Sequence, residues 1–234
     1  MSKYETVLFD FGGTLDADGV AWKERAHRHY EAEGMAISAE AFAPLFYAAD
    51  DRLCGTIARE ADLPATLAEL TANLESEFTR GGIAYDGALP KRAAARFLAE
   101  STEAFVRNRP VLEQLGQRYR LGIVSNFYGN LQAVCVGAGL APLFGVMVDS
   151  QQVGFEKPDP AIFKAALEAL GAVPERTVFV GDSLPRDREG ARRIGMDFIW
   201  IAPVETQRAE AGAGRYSSDH PVIARFGDLA ALLS

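Results

Sequence analysis

Near the amino terminus, Thr6 to Phe11 forms an apolar, β-branched and aromatic run whose one charge is Asp10, and Gly12-Gly13 ends it. A run without polar alternation predicts a strand buried on both faces. Leu121 to Ser125, Val146 to Asp149, Val178 to Val180 and Phe198 to Ile201 have the same character. Helical patterns lie between them. In the clearest, Asp159 stands at the N-cap, Pro160 takes the first position, Ile162, Phe163, Ala166, Leu167 and Leu170 form one apolar face, and Gly171 ends the helix. Strand and helix alternate from about residue 108 onward, which predicts an α/β protein with a doubly wound parallel sheet.

The stretch from about 18 to 106 breaks the alternation. It reads as helices over about Val20–Gly34, Ser38–Leu53, Pro64–Thr79 and Pro90–Arg107, with no convincing strand. This predicts an inserted all-helical cap at 18–106 on an α/β core formed by 1–17 and 107–234. Ala209 to Asp219 is small, polar and glycine-rich and predicts a surface loop.

Composition narrows the function classes. A chain of 234 residues with 48% hydrophobic residues can bury a full core without disulfides or structural metals. Its net charge of −8 argues against nucleic acid or an anionic membrane surface as partner. Cys54 and Cys135 lack metal spacing and are expected to be small buried or semi-buried side chains. The first apolar run is too short for a signal sequence, and no stretch reaches membrane-spanning length, so a cytoplasmic monomer or homodimer is expected.

Candidate chemistry collects at the carboxyl ends of the expected strands, where open α/β sheets bind ligands. The first ends in Asp10, the second in Ser125-Asn126, and the third leads to Gly154-Phe155-Glu156-Lys157-Pro158. The fourth ends in Gly181-Asp182-Ser183, with Asp187 five residues after Asp182. Carboxylates suit a hard cation such as Mg2+, and lysine and hydroxyl donors suit a phosphoryl group.

These residues resemble the four motifs of the haloacid dehalogenase-like (HAD) hydrolases with a helical cap after motif one. Asp10-Phe11-Gly12-Gly13-Thr14-Leu15 matches motif one, Ser125 motif two, Lys157 motif three, and Gly181-Asp182-Ser183-Leu184 through Asp187-Arg188-Glu189-Gly190-Ala191 motif four. The resemblance covers essentially the whole chain and implies a Rossmann-like core. It also implies a Mg2+-dependent phosphatase acting on a small phosphorylated metabolite. Asp10 is then the nucleophile that forms an aspartyl-phosphate. Asp10, the Gly12 carbonyl, Asp182 and Asp187 are the metal ligands, Ser125 and the Asn126 amide hold phosphoryl oxygens, and Lys157 offsets negative charge.

One position departs from the family. Its phosphatases usually carry a second aspartate two residues after the nucleophile, as general acid and base, and here that residue is Gly12. The departure keeps three alternatives open: an impaired phosphate-binding or regulatory protein, a dehalogenase, and a phosphonatase-type enzyme using Lys23 or Lys91. Dehalogenases of the family do not keep the metal carboxylates, which Asp182 and Asp187 provide. Asp16 and Asp18 are expected to be solvated linker carboxylates or a helix N-cap, with a surrogate acid as the alternative. Trp22, Lys23 and Arg25 are expected on a solvated helix face, with a substrate-facing position as the alternative, and His27, His29 and His220 as surface or cap side chains. Restoring an aspartate at position 12 is expected to speed alkyl phosphate hydrolysis, unless the cap fills the space.

Overall fold

The computed structural model describes residues 3–214 and 220–233. The elements run β1 (Thr6–Phe9), α1 (Trp22–Ala32), α2 (Ala39–Asp51), α3 (Leu63–Arg80), α4 (Leu89–Gly116), β2 (Arg120–Ser125) and α5 (Leu131–Gly137). They continue with β3 (Val146–Asp149), α6 (Ser150–Val153), α7 (Pro160–Leu170), β4 (Thr177–Gly181), a π-helical turn at Leu184–Arg188 and α8 (Glu189–Arg193). β5 (Asp197–Ile201), α9 (Val204–Gly212), β6 (Val222–Ile223) and α10 (Leu229–Leu232) complete the chain. All strand pairs are parallel, in the order β3-β2-β1-β4-β5-β6. The strand order reverses between β1 and β4, which opens a crevice beyond their carboxyl ends.

β1 lies at the centre because every one of its side chains is apolar or small enough to bury. Val7 and Phe9 join one hydrophobic cluster and Leu8 the other, on opposite faces. Phe9 pairs with Ile123 of β2 and Val180 of β4, so the chain leaves the sheet at Asp10. The Phe9 cluster continues into the helices that follow β1. Phe11 meets Phe105 and Phe127 at ring separations of 5.9 and 5.5 Å, and Trp22 meets Phe97 and Phe127 at 5.2 and 5.9 Å.

Helix α7 forms as its sequence predicts. Asp159 accepts from the Ala161 amide at 2.8 Å, and Gly171 turns left-handed at φ 58°. Other expectations need correction. α4 runs unbroken to Gly116 through Pro110, so one helix crosses the expected boundary at 106–107. Pro110 leaves the Val106 carbonyl without its helical donor, and Val106 is exposed, where water can replace it. β6 was not expected; two residues are too few to show a pattern. Residues 209–212 of the expected loop end α9, while 215–219 lie outside the described residues. Cys135 is buried as expected, but Cys54 is exposed. No helix among the described residues is long and apolar enough to cross a membrane.

α1 is fixed to the β1 side by a buried ion pair. Asp16, fully buried, accepts from Arg25 at 2.6 Å, from the Trp22 indole at 2.7 Å and from the Gly13 amide at 2.7 Å. Arg25 is also fully buried, donates to Ser101 of α4 at 2.7 Å and lies 4.0 Å from the Phe97 ring centre. Asp16 is therefore not the solvated linker residue expected, and Trp22 and Arg25 do not form a solvated face. Removing one member strands the other charge. Asp16→Ala and Arg25→Met are each expected to lower the unfolding free energy by about 3–5 kcal/mol, read from urea denaturation followed by circular dichroism. A loss below about 1 kcal/mol, typical of exposed pairs, would contradict the burial of this pair.

Candidate active site

Asp10 stands one residue beyond the paired end of β1, its amide still bonded to the Val180 carbonyl at 2.9 Å. Three donors converge on its Oδ1: the Phe11 amide at 2.7 Å, the Ser125 hydroxyl at 2.8 Å and the Lys157 ammonium at 2.7 Å. Oδ2 has no hydrogen-bonding partner among the described residues. One oxygen is thus held and the other left available, which suits a positioned nucleophile.

Lys157 is the centre of charge. Its side chain is 1% exposed and its ammonium also contacts Asp187 Oδ1 at 2.8 Å. Burial works to lower its pKa but is outweighed by Asp10 and then Asp187, so the ammonium form is held more firmly than usual. Asn126 fixes this lysine, accepting from its amide at 2.7 Å and donating to its carbonyl at 3.2 Å. The Asn126 side chain therefore positions Lys157 as well as lining the cavity above Asp10.

Asp182 follows β4 and Asp187 follows one turn later. Asp187 is fully buried and its Oδ2 accepts from the Ser183 amide at 2.9 Å. Two glycines make room for these carboxylates. A Cβ on Gly181 would collide with Asp187, and one on Gly13, at φ +85°, would lie 2.6 Å from Asp182 Oδ2. Thr14 donates to Asp182 at 3.2 Å. Carboxylate oxygens of Asp10, Asp182 and Asp187 all lie within 4.8 Å of one another. Burial, followed by repulsion from Asp10 and Asp187, pushes the Asp182 carboxyl far above its usual range. Burial raises Asp187 to about 6, although Lys157 opposes this. One ammonium does not balance three carboxylates. An all-oxygen set with a surplus of negative charge is what a hard divalent cation fits, so this cluster could bind a metal.

Gly12 is flanked by the first helix of the insert. A Cβ there would meet Trp22 Nε1 at 3.2 Å and Cδ1 at 3.3 Å, while its backbone lies outside the left-handed region. The indole, tied to Asp16, fills the space a longer residue at 12 would need. Both nearby carboxylates are engaged by other groups. Asp16 is consumed by Arg25, and Asp18 pairs with Arg107 at 3.0 Å and accepts from the Phe226 amide at 3.0 Å. His29 contacts Glu100 at 2.7 Å, His27 contacts the Ile37 carbonyl at 2.8 Å, and His220 lies against Phe198, all away from the cluster.

The site thus unites Asp10, Ser125, Asn126, Lys157, Asp182 and Asp187, with Gly12 lining the same cavity. Sequence reasoning ranked a solvated position above a wall position for Trp22, and it missed the Asp50–Tyr128 hydrogen bond at the cavity. Trp22, Ala26 and Tyr30 do recur at helical spacing and all are buried. That stripe was the available signal.

Comparison with known proteins agrees with this geometry. A model of the haloacid dehalogenase-like hydrolases matches residues 4–195. The phosphoserine phosphatase of Thermus thermophilus is 37% identical over 127 residues, 49% of each chain. The glyceraldehyde 3-phosphate phosphatase of Methanothermobacter thermautotrophicus is 34% identical over 116 residues, 49% of this chain and 51% of its own. The chain thus spans about half the length of these curated relatives. A solved L-2-haloacid dehalogenase shares the fold, with a TM-score of 0.63 at 22% identity over 99% of both chains. With the family model covering most of its length, the chain belongs to the haloacid dehalogenase-like hydrolases.

Proposed function

We propose that this hydrolase is a Mg2+-dependent phosphatase acting on a small phosphorylated metabolite. The observation that carries the reading is the convergence of Asp182 and Asp187 on Asp10 and Lys157. The similarity to phosphatases over half the chain supports it. Cleaving a carbon–halogen bond needs the aspartate but gives no use to a cation site built from the half-buried Asp182 and the buried Asp187. A Schiff-base lysine must lose its proton readily. Lys23, the cap lysine that lines the cavity, has its pKa raised, because Glu24 and Tyr47 outweigh burial, and Lys91 is exposed.

In this reading Asp10 Oδ2 attacks phosphorus. A bond forms from the carboxylate to phosphorus and the ester oxygen leaves with its electron pair. Ser125 and the Asn126 amide hold phosphoryl oxygens, and Lys157 opposes the charge that builds on them. Asp10, the Gly12 carbonyl, Asp182 and Asp187 would hold Mg2+, which supplies further neutralisation of phosphoryl charge when bound. Water then cleaves the aspartyl-phosphate, releasing phosphate and restoring Asp10. With Gly12 and a buried Asp16, no carboxylate of motif one protonates the leaving oxygen.

Turnover of 4-nitrophenyl phosphate should require Mg2+ and disappear on chelation. Asp182→Asn should lower kcat/KM by at least about 10²-fold. Full activity in chelator, or hydrolysis of 2-haloacids in its place, would overturn the reading.

Leaving groups that depart unprotonated should be preferred, so aryl and acyl phosphates should outpace alkyl phosphates. The indole changes what an added acid can achieve. Gly12→Asp alone should give little gain, because Trp22 stands in its way. Gly12→Asp with Trp22→Leu should raise alkyl phosphate hydrolysis toward the ~10²–10⁴-fold that a general acid contributes. Steady-state rates on a paired aryl and alkyl panel, with melting curves to confirm folding, test this. A large gain in the single variant would show that Trp22 is no obstacle.

A further inference from the structure

The cavity over Asp10 has a volume of about 950 Å3, more than a phosphoryl group and an ion fill. Its far side is built by the insert. Trp22 and Lys23 of α1 and Phe46, Tyr47 and Asp50 of α2 line it, opposite Tyr128 from the loop after β2. The rings adjoin: Trp22 and Tyr128 are 6.3 Å apart, and Phe46 and Tyr47 6.2 Å. Asp50 is half-buried among them and is bonded to the Tyr128 hydroxyl. Burial, beside that carboxylate, keeps the Tyr128 proton on well above the usual range, so the hydroxyl remains a donor. Asp50 has no cation within ion-pair distance among the described residues. Arg186, which lines the same cavity, draws its pKa down, and Asp51 adds repulsion. Burial pushes Asp50 up to about 6, the mark of a carboxylate whose charge is incompletely matched. Lys23 already pairs with Glu24 at 3.1 Å and lies 5.3 Å from the Tyr47 ring centre, so one ring of this wall holds a cation.

A half-buried carboxylate with no ion-pair partner among the described residues, set among aromatic rings, is a receptor for an organic cation. The same carboxylate, with Asp51 beside it, repels a second phosphate or a carboxylate. We propose that Asp50, with Trp22 and Tyr128, selects phosphomonoesters whose organic end carries an ammonium group. The inference rests on the phosphatase reading only for which end of the ligand faces Asp10.

Three aryl phosphates that differ at one ring position test it: 4-(aminomethyl)phenyl, 4-methylphenyl and 4-carboxyphenyl phosphate. Their affinities are measured by calorimetry with Mg2+ on the Asp10→Asn protein, which cannot form the aspartyl-phosphate. The aminomethyl probe should bind at least about tenfold more tightly than the methyl probe, and the carboxy probe most weakly. Adding Asp50→Asn should bring the aminomethyl and methyl probes within about twofold of each other. Asp50→Glu, which keeps the charge, should retain the preference, and melting curves confirm that each variant folds. Equal affinities, no binding of any probe, or a preference that survives Asp50→Asn would overturn the inference. Hydrolysis of the methyl probe by the unaltered enzyme judges the phosphatase reading separately. Hydrolysis without cation preference sinks this inference alone, and cation-selective binding without hydrolysis sinks that reading alone.

Discussion

The site depends on one buried ammonium. Lys157 is enclosed at 1% exposure and bridges Asp10 and Asp187, which come from the ends of two neighbouring strands. Without it three carboxylates would meet in a region poor in water, and deleting one partner of such a buried group costs about 3–5 kcal/mol. Its own position is set by Asn126 at the end of β2, through both backbone groups. Motifs two, three and four therefore act on Asp10 as one electrostatic unit. The surplus of negative charge they leave is the reason the cluster suits a divalent cation and not a second lysine.

A second buried charge pair ties the insert to the same turn. The segment from Asp10 to Asp16 serves both networks: Asp10 faces Lys157, and Asp16 takes Arg25, Trp22 and the Gly13 amide. Gly13 also gives Asp182 the room its carboxylate needs. Movement of α1 would thus disturb the turn that carries Asp10. The helical insert walls the site and also holds the backbone on which Asp10 is mounted.

What the sequence disclosed follows from where each residue sits. Asp10, Ser125, Asp182 and Asp187 were legible because they lie at or just beyond buried strands, where a polar residue interrupts an apolar run. Lys157 was legible through its surrounding motif. The parallel order and α7, with Asp159 and Gly171 at its ends, follow from equally local signals. Trp22, Arg25 and Asp16 were not legible, because their burial depends on how α1 and α4 pack, and Arg25 reaches Ser101 across 76 positions. A charged residue in a helix reads as solvated until its partner is known. Asp50 and Tyr128 are separated by 78 positions and pose the same problem.

The exchange of an acid for a glycine beneath an indole alters more than proton transfer. A fourth carboxylate here would add to a cluster that already pushes Asp182 far above its usual range. Its pKa would be raised by the same repulsion, and it would compete with Asp10 for Lys157. The indole adds no charge. It covers the Gly12 position, and its one polar hydrogen is already committed to Asp16. Because Lys157 is buried, its contacts with Asp10 and with the proposed phosphoryl group are stronger than they would be in water. In the proposed phosphatase, a site of this kind gives up proton delivery to the leaving group and keeps a concentrated field at phosphorus. On that proposal, selectivity among esters shifts to leaving-group stability and to the groups at the far end of the cavity.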